Sequence, residues 1–201
     1  MRIEAVVFDL GNVLIDVIHD RAATALQACC ADGIQRFHEA ISSSPLLHRM
    51  ESGELDAAQF FSAVSAHAQL TVGLDEFCAA FCDIFQPVPE MIDAHQRLRA
   101  AGLRTYIFSN TSALHFEHLA RGHAFLADFD AHFLSYELGS LKPHAPIYEA
   151  LERATGLRGK QLLYLDDRLE NVEAGLQRGW QVIHHSSPAV TIARLRELRV
   201  L

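Results

Sequence analysis

The run Val6-Val7-Phe8-Asp9-Leu10-Gly11-Asn12-Val13-Leu14 decides how this chain is read. An unbroken apolar stretch is the pattern of a parallel strand buried on both faces, and the carboxylate followed by glycine puts a charge at the strand's carboxyl end. Ligands of open α/β sheets gather outside those ends. Asp9 is therefore the first candidate for a reacting group.

Four later segments repeat the order strand, polar turn and amphipathic helix, which specifies a parallel sheet covered by helices. The pattern predicts strands over 103–108, 132–135, 161–165 and 180–184. Helices are expected over 90–101, from Lys142-Pro143 through Ile147, Tyr148 and Leu151, and over about 169–178 and 192–198. Ser109-Asn110-Thr111-Ser112 suits a turn and a helix N-cap. Between the first two strands, about 16–88 reads as almost wholly helical with no period-2 strand; the pieces are 21–31, 34–41, 57–68 and 75–85. Gly33, the run 42–45, Gly53 and Gly73 punctuate them, and Pro87 and Pro89 mark the return. The fold class expected is α/β, a Rossmann-like doubly wound parallel sheet core of 1–15 and 89–201 with an inserted α-helical cap, 16–88. The cap phenylalanines, among them Phe60, Phe77 and Phe81, are expected to form mostly its own core.

With 201 residues, half of them hydrophobic, and a formal net charge of −8, the chain is long enough to bury a core and lacks the basic face that nucleic acid or an anionic membrane requires. No apolar stretch reaches the roughly 20 residues of a membrane span, and the N-terminus enters a strand without a basic leader, so a cytoplasmic location is expected. Cys29-Cys30, Cys78 and Cys82 match no zinc or redox spacing and read as ordinary thiols, although Cys78 and Cys82 share a helix face. His115 and His118, one helical turn apart, lack an obvious third metal ligand and read as helix residues. Arg21 is either a solvated helix-start residue or within reach of a sugar or phosphate, and Gly53-Glu54-Leu55-Asp56 reads as a turn and N-cap.

Four polar clusters fall at strand ends: Asp9, Ser109-Asn110, Lys142 and Asp166-Asp167. In a parallel sheet those ends converge on one crevice. A carboxylate nucleophile, a hydroxyl with an amide, one ammonium and a carboxylate pair are what phosphoryl transfer through an aspartyl-phosphate requires. Adjacent carboxylates repel unless a cation intervenes, and a hard divalent ion such as Mg²⁺ takes oxygen ligands, here Asp9 and Asp167. Lys142 is expected to hold Asp9 ionised and to pair with the phosphoryl group.

These motifs read FDLGNVL at 8–14, FSNTS at 108–112, LKPHAPIY at 141–148 and YLDDRLENVEAG at 164–175. Their order resembles the haloacid dehalogenase (HAD) superfamily of hydrolases with a helical type-1 cap. The resemblance implies that Asp9 is the nucleophile, that Ser109 and Asn110 bind the phosphoryl oxygens, and that Lys142 stabilises the site. It also implies that Asp167 and the backbone carbonyl of Gly11 are Mg²⁺ ligands with Asp166 in support. The DLGNV form and the segment His48 to Leu55 are similar to bacterial sugar phosphatases of the alpha-D-glucose-1-phosphate phosphatase type. Gly11 stands where family phosphatases usually carry a side-chain acid that protonates the leaving oxygen. Three readings follow: a Mg²⁺-dependent phosphatase of a small phosphorylated metabolite, best a sugar phosphate, with water or a cap residue as donor and His19 and Asp16 as candidates; a metal-free 2-haloacid dehalogenase; or a non-catalytic phospho-ligand binder. The pair Asp166-Asp167 argues against the second, and retention of Asp9, Lys142 and Asp167 together against the third.

Overall fold

The computed structural model describes residues 2–30, 34–43 and 45–201. Its strands and α-helices run β1 (Ala5–Phe8), β2 (Ile15–Val17), α1 (His19–Leu26), α2 (Ile34–His38), α3 (Leu46–Glu51), α4 (Ala57–Ala68), α5 (Leu74–Cys82), β3 (Phe85–Pro87), α6 (Pro89–Ala100), β4 (Arg104–Ser109), α7 (Ala113–Gly122), β5 (Ala131–Leu134), α8 (Ser135–Leu138), α9 (Ala145–Thr155), β6 (Leu162–Asp166), α10 (Leu169–Gln177), β7 (Gln181–His184) and α11 (Pro188–Glu197). Five strands make one parallel sheet in the order β5-β4-β1-β6-β7, with β1 at its centre. This is the Rossmann-like α/β architecture expected.

Period-2 alternation divides β1 between two cores. Val6 and Phe8 pack with Met91 and Leu98 of α6, Leu119 of α7 and Leu195 of α11, whereas Ala5 and Val7 face Ile147, Tyr148 and Leu151 of α9. Helices thus cover both faces, which is why the strand has no polar alternation. Trp180, the chain's only tryptophan, is buried in the second core beside Tyr164 (centroids 5.7 Å apart), and its indole N–H donates to Glu152 at 2.8 Å.

Helices α1 to α5 enclose a third core in which Phe60, Phe77 and Phe81 pack against Leu26, Phe37 and Met50. Asp56 caps α4 in a reciprocal capping box with Gln59, as the reading of 53–56 as turn and N-cap anticipates. The α-helix expected over 21–31 stops at Leu26 and gives way to a 3-10 turn over Gln27–Cys29, and that expected over 34–41 is α-helical to His38 and continues as a π-helix over Glu39–Ser43; Ala31, Gly33 and Ser44 lie outside the described residues.

Three further expectations are corrected. The region 16–88 is not free of strands: β2 and β3 pair antiparallel where the chain leaves the sheet and returns to it, so Phe85 belongs to a strand and α5 stops at Cys82. Three residues per strand are too few to display alternation. The helix expected from Lys142-Pro143 starts at Ala145, because Lys142 sits in a turn held by side-chain bonds described below. The last helix begins at Pro188, four residues early, with Ser187 accepting from the Val190 amide as its N-cap. No helix among the described residues is long and apolar enough to cross a membrane.

The turn after α3 touches α8 at Gly53, whose φ is +77°. A Cβ there would lie 2.4 Å from the carbonyl oxygen of Tyr136, so both backbone conformation and space demand glycine. Gly53→Ala should lower the stability read from a urea midpoint by about 2 kcal/mol or more. Gly102→Ala is the control: its φ is +83° but nothing lies within 4 Å of the added Cβ, and about 1 kcal/mol is expected. Equal losses would show that contact with Tyr136 contributes nothing.

Candidate active site

Lys142 lies on the loop before α9, and Asn110 fixes it there. The Asn110 side chain accepts from the Lys142 amide at 2.8 Å and donates to the Lys142 carbonyl at 2.9 Å. This two-ended clamp sets where the ammonium emerges. Nζ then donates to the Phe108 carbonyl at 2.8 Å and Asp166 at 2.7 Å, and lies 3.0 Å from Asp9 Oδ1. An ammonium has three protons. All three have protein partners, and the Lys142 side chain is 1% exposed. Burial opposes the charge, but Asp166 and Asp9 outweigh it and hold the amine above its ordinary pKa.

Asp9 follows β1. Its Oδ1 accepts from the Leu10 amide at 2.6 Å as well as from Lys142, while Oδ2 has no hydrogen-bond partner among the described residues. Burial pushes its carboxyl well above the usual range, Lys142 pulls it down, and Asp166 and Asp167 push it up again. Asp166, wholly buried at the end of β6, would also be raised by burial. Lys142, the Tyr164 hydroxyl, the Arg168 amide and Asn171 surround it, and its carboxyl lies below the ordinary value. Asp167, the next residue, is half-buried and accepts one side-chain bond, from Asn12 Nδ2 at 3.1 Å.

One oxygen from each of Asp9, Asp166 and Asp167 lies within 4.8 Å of the others. Only Asp9 and Asp166 pair with the Lys142 ammonium, so the cluster of three carboxylates is short of positive charge and fits a divalent cation. Asp166 has its oxygens occupied by protein donors, which leaves Asp9 and Asp167 as the freer pair. The Gly11 carbonyl also stays outside the bonds made around it: the Ile15 amide donates to Leu10 and the Asn12 amide to Ile15. All these oxygens suit a hard ion.

Beside the carboxylates is a cavity of about 150 Å³, lined by Gly11, Ser109 and Asn110 on the sheet side and by Ile15, Val17, Leu47, Phe81, Ile84 and Phe85 on the other. The buried Ser109 hydroxyl makes only a 3.4 Å contact with the Asn110 carbonyl and is otherwise unengaged. His19 also lines the cavity; Asp16 is exposed on β2 and does not. Arg21 donates to Gln86 on the surface. His115 is buried with its ring stacked on Phe81, His118 is exposed, and Cys82 Sγ lies 3.9 Å from the Leu114 carbonyl.

Sequence reading did not single out Tyr164, Asn171, Asn12 or Glu51. Tyr164 precedes Asp166 by two in a strand, hence on the same face, which is a usable signal. Asn171 follows Asp166 by five across a strand-to-helix turn, and only the folded turn reveals that it returns. Glu51 reaches the cavity from α3, and no local pattern marks it.

The chain matches the haloacid dehalogenase-like hydrolase family over residues 3–179 and belongs to it. It is 24% identical, over 93% of its length and 94% of the relative's, to a D-ribitol-5-phosphate phosphatase of Bacteroides thetaiotaomicron. It is 25% identical, over 79% of its length and 81% of the relative's, to a sesquiterpene phosphatase of Aspergillus oryzae. Its fold is that of a HAD-family enzyme from Bacteroides thetaiotaomicron solved with magnesium and inorganic phosphate: TM-score 0.81, 23% identity, 90% of this chain and 93% of that one.

Lys142→Met leaves Asp9 and Asp166 buried without their cation, and stability at neutral pH should fall by about 3–5 kcal/mol. In this variant both carboxyls have folded pKa values raised above the unfolded ones. Its folded state then gains protons, and stability, as the pH falls through those raised values. Denaturant unfolding at pH 7 and pH 5 should show the gap to wild type narrowing at the lower pH.

Proposed function

We propose that the protein is a Mg²⁺-dependent phosphomonoester hydrolase working through an aspartyl-phosphate, with residues 16–88 as a cap over a core of 1–15 and 89–201. The observation that carries this reading is the pairing of Asp9 and Asp166 with one buried ammonium, Asp167 clustered with them, beside a hydroxyl held only by a 3.4 Å contact, at the carboxyl ends of a parallel sheet. Two relatives with phosphatase activity, and a similar fold solved with magnesium and phosphate, support it. A metal-free dehalogenase has no use for Asp167, and a binding protein none for a held nucleophile.

Asp9, Asp167 and the Gly11 carbonyl would hold the ion, with Asp166 in support. Bound there, Mg²⁺ offsets the carboxylates and the phosphoryl oxygens. Asp9 is oriented through Oδ1 by Lys142 and Leu10, and its carboxylate attacks phosphorus in line. Lys142, with its protons committed to protein, acts on the phosphoryl group through its field. Ser109 donates to a phosphoryl oxygen; Asn110, its side chain spent on the Lys142 backbone, chiefly positions that lysine. The alcohol leaves, and water then splits the acyl phosphate to regenerate Asp9.

The substrate in this reading is a small phosphorylated metabolite. The ribitol phosphatase relative supports a sugar phosphate. The aliphatic and aromatic wall opposite Ser109 favours a second reading, a leaving group with a hydrocarbon face, because a polyol there would forfeit hydrogen bonds. The volume is about that of a cavity accepting a benzene-sized molecule. Four unpaired cysteines support a reducing, cytoplasmic setting.

The test is a panel of sugar phosphates, nucleotides, prenyl and benzyl phosphates and 2-haloacids. Phosphate release should require Mg²⁺, stop with EDTA and vanish in Asp9→Asn without loss of fold. Turnover of a haloacid that survives EDTA would overturn the reading. A higher kcat/KM for benzyl than for sugar phosphates would select the hydrocarbon reading, and the reverse would select sugars.

A further inference from the structure

Gly11 leaves the first motif without a side-chain acid, yet a departing alkoxide needs a proton. Three titratable side chains line the cavity: His19, Glu51 and His115. Burial pulls His115 down to about 4, and its Nε2 lies 3.2 Å from the Phe81 carbonyl, so the ring is neutral and engaged. His19 is exposed at the start of α1.

Glu51 differs from both. It is the last residue of α3, and its backbone carbonyl accepts from Ser135 Oγ at 2.6 Å. The same hydroxyl oxygen accepts from the Thr111 amide at 2.9 Å, so the Glu51 peptide is tied to the loop that follows Ser109 and carries Asn110. Two residues on, Gly53 seats the turn against Tyr136. The Glu51 carboxyl itself makes no hydrogen bond or ion pair among the described residues, although it shares a cavity with Gly11, Ser109 and Asn110.

We propose that Glu51 donates the proton to the leaving oxygen, supplying from the cap the acid that the chain lacks at position 11. The charged or titratable groups around it are Lys142 from the loop before α9, Arg168 from the loop before α10, His19 of α1 and His115 of α7. Burial pushes its carboxyl up to about 7 against the opposing pull of Arg168 and Lys142, so the acid holds a proton near neutrality. In the first step the Asp9 carboxylate bonds to phosphorus, the P–O ester bond breaks, and the alkoxide takes the Glu51 proton to leave as alcohol. In the second, Glu51 carboxylate removes a proton from water as that water bonds to phosphorus and the Asp9–phosphorus bond breaks, restoring both side chains.

The inference rests on the phosphatase reading, and leaving-group chemistry separates the two. Glu51→Gln keeps size and shape. With benzyl phosphate, whose alkoxide must be protonated, kcat/KM should fall by about 10²–10⁴-fold. With 4-nitrophenyl phosphate, whose phenolate leaves unprotonated, the rate of the pre-steady-state burst should be unchanged. Wild-type kcat/KM for benzyl phosphate should also decline above about pH 7, and that limb should be missing in the variant. Equal losses in both first-step rates, or a retained limb, would overturn the role of Glu51. Absence of any Mg²⁺-dependent turnover in the wild type would overturn the phosphatase reading itself, and this inference with it.

Discussion

The structure of the site depends on one buried ammonium. Lys142 bridges β1 and β6 by touching Asp9 and Asp166, and reaches β4 through the Phe108 carbonyl. Two acids side by side in a dry core would each resist ionisation. With the lysine between them the inner acid, Asp166, is held ionised by a ring of donors, whereas Asp9, nearer the cavity, keeps one oxygen without a protein partner. The same cation therefore creates an inequality between two chemically identical groups. One becomes scaffold and the other remains available.

That inequality is enforced from a distance in sequence. Asn110 grips the backbone of Lys142 from another strand end, and Tyr164 and Asn171 close around Asp166 from before and after it. Each partner is itself anchored in a helix or strand, so the charges are placed by regular structure. Where the chain is irregular, at Asn12 with its φ of 54°, the side chain bonds Asp167 and the Val17 amide, which links that carboxylate to the end of β2.

The sheet and its polar ends were legible because long apolar runs and the polar residues that stop them are local signals. Val6 to Asp9 and Leu162 to Asp167 announce buried strands ending in carboxylates, and Lys142 and Asn110 stand out at corresponding ends. Strands β2 and β3 were not legible, since three residues stabilised by pairing across some seventy residues leave no periodic trace. Nor was the division of labour within motifs: that Asn110 spends its amide on Lys142, or that Asp166 is saturated, is a matter of which lone pairs are occupied after folding. Glu51 is the extreme case, a polar residue in a helical segment whose position over the cavity is set by a hydroxyl from α8 and a glycine contact.

The buried indole of Trp180 gains a use from this arrangement. It packs edge-on against Tyr164, whose hydroxyl donates to Asp166, and also contacts Phe108, whose carbonyl receives the lysine. No second tryptophan competes with it. The molecule thus carries a native optical probe, separated from the acid cluster by a single phenol ring. Changes in charge at those acids are positioned to register in its emission without any label.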